Sequence, residues 1–411
     1  MTTSDPRIAI LGAGPGGLTI ASLLTKHNIP YTLFDLRPLP TSSSPTSPLV
    51  PSGSLDLHPD SGLLALKRCG LYDKFLTLTG ECSEDCIITD KAGNIRWQDN
   101  GNGGERPEIP RNSLTDLLLS SIPAQNIKWE HKVLSLTSSS SAKWTLHFSH
   151  QGSEFDKEYD LVIGADGAYS KTRTVLSTTV PYYSSVSCIT LTIPHITTTH
   201  PDLEAIIGKG TYSASGDHKA VMAQRGSVDS ARIYLMLQCG DSSSWLRDVG
   251  LDSLGPEELK TRLLTDPALF ESWGKASKDL IAAGCSSGFE ITANPLLMLP
   301  IGFKWEHVPN ITLLGDAAHL ITPFAGEGVN AAMLDALQLA EGIIESLSEG
   351  SERSIDDAVK GYEEKMFPRA EELEADTWGN LKMIFADNAP EGIVNFMASA
   401  MGGMPPPTGE A

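Results

Sequence analysis

Gly12, Gly14 and Gly17 stand at the spacing G-x-G-x-x-G, a pattern suited to bringing backbone close to a pyrophosphate. Gly12 permits a tight turn, Gly14 removes the Cβ that would hold phosphates away, and Gly17 lets a following helix pack close to the preceding strand. Pro15 and Gly16 complete the turn into that helix, whose first N–H groups are free and whose dipole favours an anion. Asp35 follows eighteen residues after Gly17, at the end of a second β-rich run. An acid there accepts from both hydroxyls of a ribose and disfavours a 2′-phosphate, so the dinucleotide is of the FAD or NAD kind. Arg37 reads equally as a surface cation or a cofactor contact.

Two further motifs carry acids. In the run Asp160-Leu-Val-Ile-Gly-Ala-Asp166-Gly167, followed by Ser170 and Arg173, a buried strand ends at Asp166. That acid caps the next helix, worth about 1 kcal/mol, or fixes loops near the cofactor phosphates; the two roles are compatible. In the third motif, Gly315 and Asp316 end a strand, and Pro323, Phe324, Gly326, Gly328, Val329 and Asn330 form a glycine-opened turn into a long helix. Asp316 suits the ribityl hydroxyls of a flavin. The helix N-terminus suits the pyrimidine side, where reduced flavin carries negative charge that a helix dipole stabilises by roughly 0.3–2 kcal/mol. A nicotinamide nucleotide has no such need, so this motif points to FAD.

Alternating hydrophobic and helical patterns supply the elements that must position these residues. A strand over residues 7–11, a helix over 18–26 and a strand over 31–34 form a βαβ start. Residues 41–54 are rich in Ser, Thr and Pro and read as a loop. Helices are predicted at 61–68 and 113–121, a hairpin around Ile87 and Ile95, and strands at 144–148 and 161–163. Residues 186–238 read as an antiparallel sheet covered by helices near 257–264 and 270–281. The chain then returns to a strand at 311–314, a helix over 329–347 and a long C-terminal helix over 355–382, with a frayed end.

Composition narrows the class. The chain has 411 residues and a formal net charge of −20, a balance that repels nucleic acid and anionic lipid. Phosphates must then be held by local N–H groups and a few placed arginines. The six cysteines are scattered, with Cys82 and Cys86 the close pair, and they read as reduced thiols without a metal site. Neither a signal peptide nor a membrane span is visible, so a cytoplasmic protein is expected.

Together the three motifs resemble the group A flavoprotein monooxygenases, the family of para-hydroxybenzoate hydroxylase. The segments Gly53-Ser54-Leu55-Asp56-Leu57-His58-Pro59 and Pro107-Glu-Ile-Pro-Arg111-Asn-Ser-Leu resemble the tetracycline-inactivating members in particular. The resemblance implies an α/β fold: a Rossmann-like FAD-binding domain of GR2 type, an inserted antiparallel-sheet substrate domain and a long C-terminal helix. The expected division is residues 1–180 and 296–350 for FAD, taking in part of the sheet near 80–110 or leaving it to the substrate domain. Residues 181–295 then form the substrate domain and 351–411 the C-terminal helix and tail.

It also implies that Asp56, Arg111 and Asp316 contact FAD, that NAD(P)H acts as a transient co-substrate, and that O2 reacts at flavin C4a to give a (hydro)peroxyflavin. That species hydroxylates a polycyclic aromatic or polyketide-like small molecule, tetracycline-like among the options, its distal oxygen acting as an electrophile on an electron-rich ring or as a nucleophile on a ketone, in a monomer with no obligatory catalytic side chain. His58 is a packed core histidine or a further cofactor contact. Leu49 stands where the tetracycline enzymes carry an arginine that meets the nicotinamide nucleotide. Substrate contacts are expected from Met222, Gln224 and Arg225 on the inserted sheet, with Pro323 and Phe324 opposite. Met222 reads rather as core, and Arg225 rather as a solvated charge, than as substrate contacts. The Trp-x-Trp-x-Ile-Pro signature of flavin halogenases is missing. A flavin- or drug-binding protein without turnover, and an FAD-linked reductase or oxidase, are the alternatives.

Overall fold

Short apolar runs that bury both faces form the first layer. Strands Ile8–Leu11, Tyr31–Phe34, Ile127–Lys128, Leu161–Gly164 and Ile311–Leu313 pair in parallel, and Ile8, Ile10, Leu33, Leu161 and Ile163 are almost wholly inaccessible, as a sheet covered on both faces requires. The molecule is described by a computed structural model covering residues 6–79, 83, 85–99, 106–138 and 143–401. Cys82 and the end of the chain expected to fray, residues 402–411, lie outside these. In the sheet, Ile8–Leu11 sits between Tyr31–Phe34 on one side and Leu161–Gly164 on the other. The strand order therefore reverses beside Gly12, the place where open α/β sheets form a ligand crevice.

Helices Pro15–Lys26 and Gly328–Ser346 pack together on this sheet. Small residues permit the close approach: a Cβ on Gly16 would lie 3.1 Å from the Ala332 carbonyl oxygen and 2.6 Å from Leu314 Cδ1. The other sheet face is covered by an antiparallel meander of Lys132–Ser138, Trp144–His150 and Ser153–Tyr159, joined to it through Phe34, Phe148 and Tyr159.

A second, seven-stranded sheet runs in the order Thr292–Met298, Tyr182–Ile193, Ser230–Gln238, Lys219–Gly226, Thr211–Gly216, Cys86–Asp90, Ile95–Asp99. It is mixed, not wholly antiparallel: Thr211–Gly216 pairs in parallel with Cys86–Asp90. The reason is connectivity, because the hairpin of residues 86–99 joins this edge from a distant part of the chain. Ile189, Leu191, Val221, Ala223, Ile233 and Leu235 face the helices on one side, among them Pro201–Ile207, Pro256–Thr265 and Lys275–Cys285. Side chains alternate along a strand, so Cys188, Thr190, Met222, Gln224, Arg232 and Tyr234 face the other way.

The long C-terminal helix is Ile355–Ile384, opened by a capping box of Ser354 and Asp357. A further helix, Glu391–Met401, was not foreseen; its Val394 packs on Ile88 and Trp97 of the hairpin. Cys69, Cys86, Cys188, Cys239 and Cys285 are free thiols, and burial pushes the Cys188 and Cys285 thiols up to about 11. Among the described residues no helix is long and apolar enough to cross a membrane, and no cluster could hold a metal ion.

Candidate active site

Each acidic or glycine motif leaves the carboxyl end of one parallel strand: Gly12 follows Leu11, Asp35 follows Phe34, Asp166 closely follows Gly164, and Asp316 closely follows Leu313. Four distant stretches thus meet at one edge. A groove of about 610 Å³ lined by Arg7, Tyr31 and Tyr159 opens at the amino ends of these strands, the end that does not take ligands in this architecture.

The three glycines have separate reasons. Gly12 has φ +105°, and a Cβ there would lie 2.2 Å from the Ala165 carbonyl oxygen; a Cβ on Gly17 would lie 2.0 Å from the Gly12 carbonyl oxygen. Both are demands of packing. Gly14, at the helix N-cap, has ordinary extended φ and ψ of −77° and 177°, and no side chain caps the helix. A Cβ on Gly14 would meet nothing within 4 Å. Open space before free N–H groups is what a phosphate requires.

Asp35 is placed differently from the sequence expectation. It is 7% exposed, and both carboxylate oxygens are engaged inside the protein. Oδ1 accepts from the Arg37 backbone N–H (2.8 Å) and Nε (2.9 Å), while Oδ2 accepts from the Ala13 N–H (2.7 Å) and Arg37 Nη2 (2.9 Å). Burial pushes its pKa up, but the Arg37 hydrogen bonds and charge, with the two N–H groups, hold it below the usual carboxylate range. The pair braces the turn, for Arg37 Nη2 also donates to the Ala13 carbonyl (2.8 Å).

Asp166 caps its own loop: it accepts from Ser170 Oγ and from the N–H groups of Lys171 (2.8 Å) and Thr172 (3.1 Å). The more telling residue is Arg173, which is 3% exposed. Its guanidinium donates to the carbonyls of Ala168 (2.5 Å), Asp316 (3.3 Å) and Ala317 (3.1 Å), stitching the second motif to the third. Desolvation lowers its pKa, with Asp166 and Asp316 opposing. Nothing local in the sequence announces this role.

The Asp316 side chain is accessible, yet protein packed around it pushes its carboxyl pKa up by desolvation, against the charges of His319, Arg111 and Arg173. Accessible surface in such surroundings belongs to the wall of a cleft. Arg111 opens helix Arg111–Leu119, and its backbone N–H donates to the Gly53 carbonyl (2.9 Å).

The turn of residues 323–328 begins as the 3-10 helix Pro323–Ala325 and passes Gly326 at φ +73° into helix Gly328–Ser346, which has no side-chain cap. A Cβ on Gly328 would again meet nothing within 4 Å. Asn330, expected to touch a cofactor, is fully buried and uses its amide elsewhere. Oδ1 accepts from the His58 N–H (2.9 Å) and Gly62 N–H (3.3 Å), and Nδ2 donates to the Asp56 carbonyl (3.0 Å). Val329 packs against the main core. Asn330→Ala should therefore cost about 2–4 kcal/mol of stability, read as a lower apoprotein melting temperature; an unchanged melt would refute this anchoring.

Asp56 and His58 hydrogen-bond through Nε2 (3.0 Å), and His58 Nδ1 meets Glu327 (3.2 Å). The Asp56 and Glu327 hydrogen bonds push His58 up to about 9. His58 is thus neither a plain core histidine nor an isolated contact. The signal for Asp56 was local, whereas that for Glu327 was absent.

Loop 41–53 closes one rim. Asn112 Nδ2 donates to the carbonyls of Pro45 (2.8 Å) and Ser47 (2.9 Å), and a Cβ on Gly53 would lie 2.7 Å from the Tyr234 hydroxyl. Leu49 in this loop is 69% exposed. On the sheet, Thr190, Tyr234 and Met222 form one row, and Thr192, Arg232 and Gln224 the next. Met222 and Tyr234, like Phe324 and Trp378 of the long C-terminal helix, pack against the apolar cluster of Cys188, Ala220, Met236 and Phe385. Arg225, one residue beyond Gln224, points to the opposite face and pairs with Asp229 (3.2 Å). Strand alternation removes it from the expected substrate set.

Comparison with known proteins gives concordant matches. The model of the FAD binding domain family matches residues 5–254 and 305–377. Monooxygenase penA of Penicillium thymicola is 39% identical, with 97% of this chain and 99% of the relative covered. Among solved structures, HpxO of Klebsiella pneumoniae complexed with FAD and uric acid is similar at a TM-score of 0.74 and 19% identity, covering 97% of each chain. Tetracycline destructase Tet(55) is similar at a TM-score of 0.72 and 20% identity, covering 98% of this chain and 96% of that one. The two structures share the fold; the likeness to penA extends through the sequence.

Proposed function

The chain belongs to the FAD binding domain family and is an FAD-dependent monooxygenase; from that premise we propose that it uses NAD(P)H and O2 to hydroxylate an aromatic or polyketide-like small molecule. The observation that carries this reading is that Phe324, from the turn before helix Gly328–Ser346, borders the same apolar cluster as Met222 and Tyr234 of the second sheet. Partly buried aromatic and apolar side chains beside this turn suit a ring-bearing substrate, and Gln224 and the Tyr234 hydroxyl supply the few polar groups that orient it. The uric acid held by HpxO supports the same small-ring class.

The donor set fits FAD. Uncapped N-termini of helices Pro15–Lys26 and Gly328–Ser346, each with open space at its glycine, suit the pyrophosphate and the flavin pyrimidine, while Asp316 and Arg111 suit the span between them. When bound, FAD supplies the two-electron chemistry and activation of O2. The protein supplies binding, orientation and exclusion of water, and no side chain is assigned as an obligatory acid or base. The overall change balances as substrate C–H plus NAD(P)H, a proton and O2, giving C–OH, NAD(P)+ and water.

Labelled O2 tests the reaction. The product of a phenolic or polyketide panel should carry one labelled oxygen, matched by NAD(P)H consumption. Hydrogen peroxide as the sole oxygen product would identify an oxidase and sink the reading. Arg111→Ala tests the site: FAD affinity should fall about tenfold, or roughly 1–2 kcal/mol, with little change in apoprotein melting because the side chain is exposed. Equal affinity of the two proteins for FAD would remove Arg111 from the site.

A further inference from the structure

Two carboxylates lie beside the N-terminus of helix Gly328–Ser346, yet neither caps it. Glu327 is the N-cap residue itself and makes no side-chain cap hydrogen bond. An Asp56 carboxylate oxygen stands 4.0 Å from where a Gly326 Cβ would be. A helix N-terminus attracts anions, so each carboxylate is a potential competitor for its free N–H groups. Both acids are instead drawn to one imidazole, with His58 Nε2 at 3.0 Å from Asp56 and Nδ1 at 3.2 Å from Glu327.

The ring is placed for that task from an independent anchor. The His58 N–H donates to Asn330 Oδ1 (2.9 Å), and its carbonyl accepts from the N–H groups of Ser61 (3.3 Å) and Leu63 (3.0 Å). The loop therefore keeps its course whatever the side chain. Both ring nitrogens face carboxylates, and both can donate only in the imidazolium form. Asp56 ends the strand Ser54–Asp56 just before the ring, and Glu327 is the residue that precedes the helix. Glu108 stands across the strand pair from Asp56, and Asp99 and Arg106 line the same pocket; the groups that raise the ring's pKa are Asp56 and Glu327, against desolvation.

We propose that His58 is a positioning residue whose imidazolium holds Asp56 and Glu327 off the N-terminus of helix Gly328–Ser346, keeping its first N–H groups free for FAD. The inference rests on the FAD site described above. The sign follows from the raised pKa of about 9: the interaction is complete at neutral pH and is lost as pH rises through that value. The freed carboxylate then competes with the cofactor for the helix end.

The test is titration of apoprotein with FAD, followed by flavin fluorescence from about pH 7 to 10, with melting curves of each apoprotein. Wild-type affinity should fall roughly tenfold across this range as the ring loses its proton. His58→Gln should bind FAD about tenfold more weakly at neutral pH and lose the pH dependence, while melting close to wild type. His58→Lys should keep neutral-pH affinity and move the fall to higher pH. Adding Glu327→Ala to His58→Gln should restore binding, which a merely structural role would not do. The proposal is overturned if His58→Gln binds as tightly as wild type, keeps the wild-type pH profile, or gains nothing from Glu327→Ala. A wild-type protein that binds no FAD at any pH overturns the cofactor reading itself, a result distinct from these.

Discussion

Gly14→Val is expected to yield a protein that melts like wild type but retains no FAD, whereas Gly17→Ala, a smaller change three residues on, loses most of its stability. The contrast follows from where each Cβ would go. At Gly14 the backbone is ordinary extended chain that valine adopts readily, and the new side chain enters open space. That space is the approach to the free N–H groups of helix Pro15–Lys26, so the methyls stand where a pyrophosphate would lie. Loss of at least about a hundredfold in FAD affinity, near 2.7 kcal/mol, is expected. At Gly17 a Cβ would lie 2.0 Å from the Gly12 carbonyl oxygen, and helix and strand must separate, costing roughly 3 kcal/mol or more. Apoprotein melting and flavin titration separate the two effects. A Gly14→Val protein that co-purifies with flavin would show that the phosphates lie elsewhere.

Arg173→Met carries the second large effect. The substitution keeps an apolar stem but leaves the carbonyls of Ala168, Asp316 and Ala317 without the guanidinium that now joins them. Buried acceptors stripped of a charged donor cost about 3–5 kcal/mol together, which for a chain this long lowers Tm by about 3–6 °C. Arg173→Lys should recover little, because one ammonium cannot reproduce a planar fork that reaches both loops. Cofactor binding should weaken as well, since the backbone of Asp316 is one of the groups released. Melting curves with and without FAD measure both effects. A variant melting within about 2 °C of wild type would show that the two motifs are held together by something else.

Much of the cofactor half was legible in residue order alone. The G-x-G-x-x-G turn, the buried strands and the glycine-opened helix after Asp316 are local features. Their geometry follows from the absence of a Cβ, from hydrophobic periodicity and from free N–H groups at a helix start. Chain order also separated the cofactor strands from residues 186–238, because alternating β-rich runs without long helical stretches read differently from a βαβ unit. What sequence could not assign was the use of a polar group once several positions competed for it. Asp35 looked free for a ribose, but Arg37, two residues away, lies within reach of both its oxygens. Asn330 looked like a cofactor contact, but the 56–62 loop from a distant part of the chain takes its amide.

The substrate side shows the same division. Period-2 alternation already implied that Gln224 and Arg225 point to opposite faces; it did not say which face meets the turn at Phe324. That choice depends on which side of the sheet the helices of residues 201–285 cover. Likewise His58 was visible as a histidine near an acid, while its second acid, Glu327, arrives only when the chain returns to the first sheet. Sequence alone determined the βαβ glycine turn, the acids at strand ends and the glycine-opened helix, because short-range sterics and backbone hydrogen bonding decide these. The tertiary structure alone decided that Arg173 joins two motifs, that Arg225 faces away and that one imidazole holds two carboxylates, because each depends on which distant segments are brought within hydrogen-bond reach.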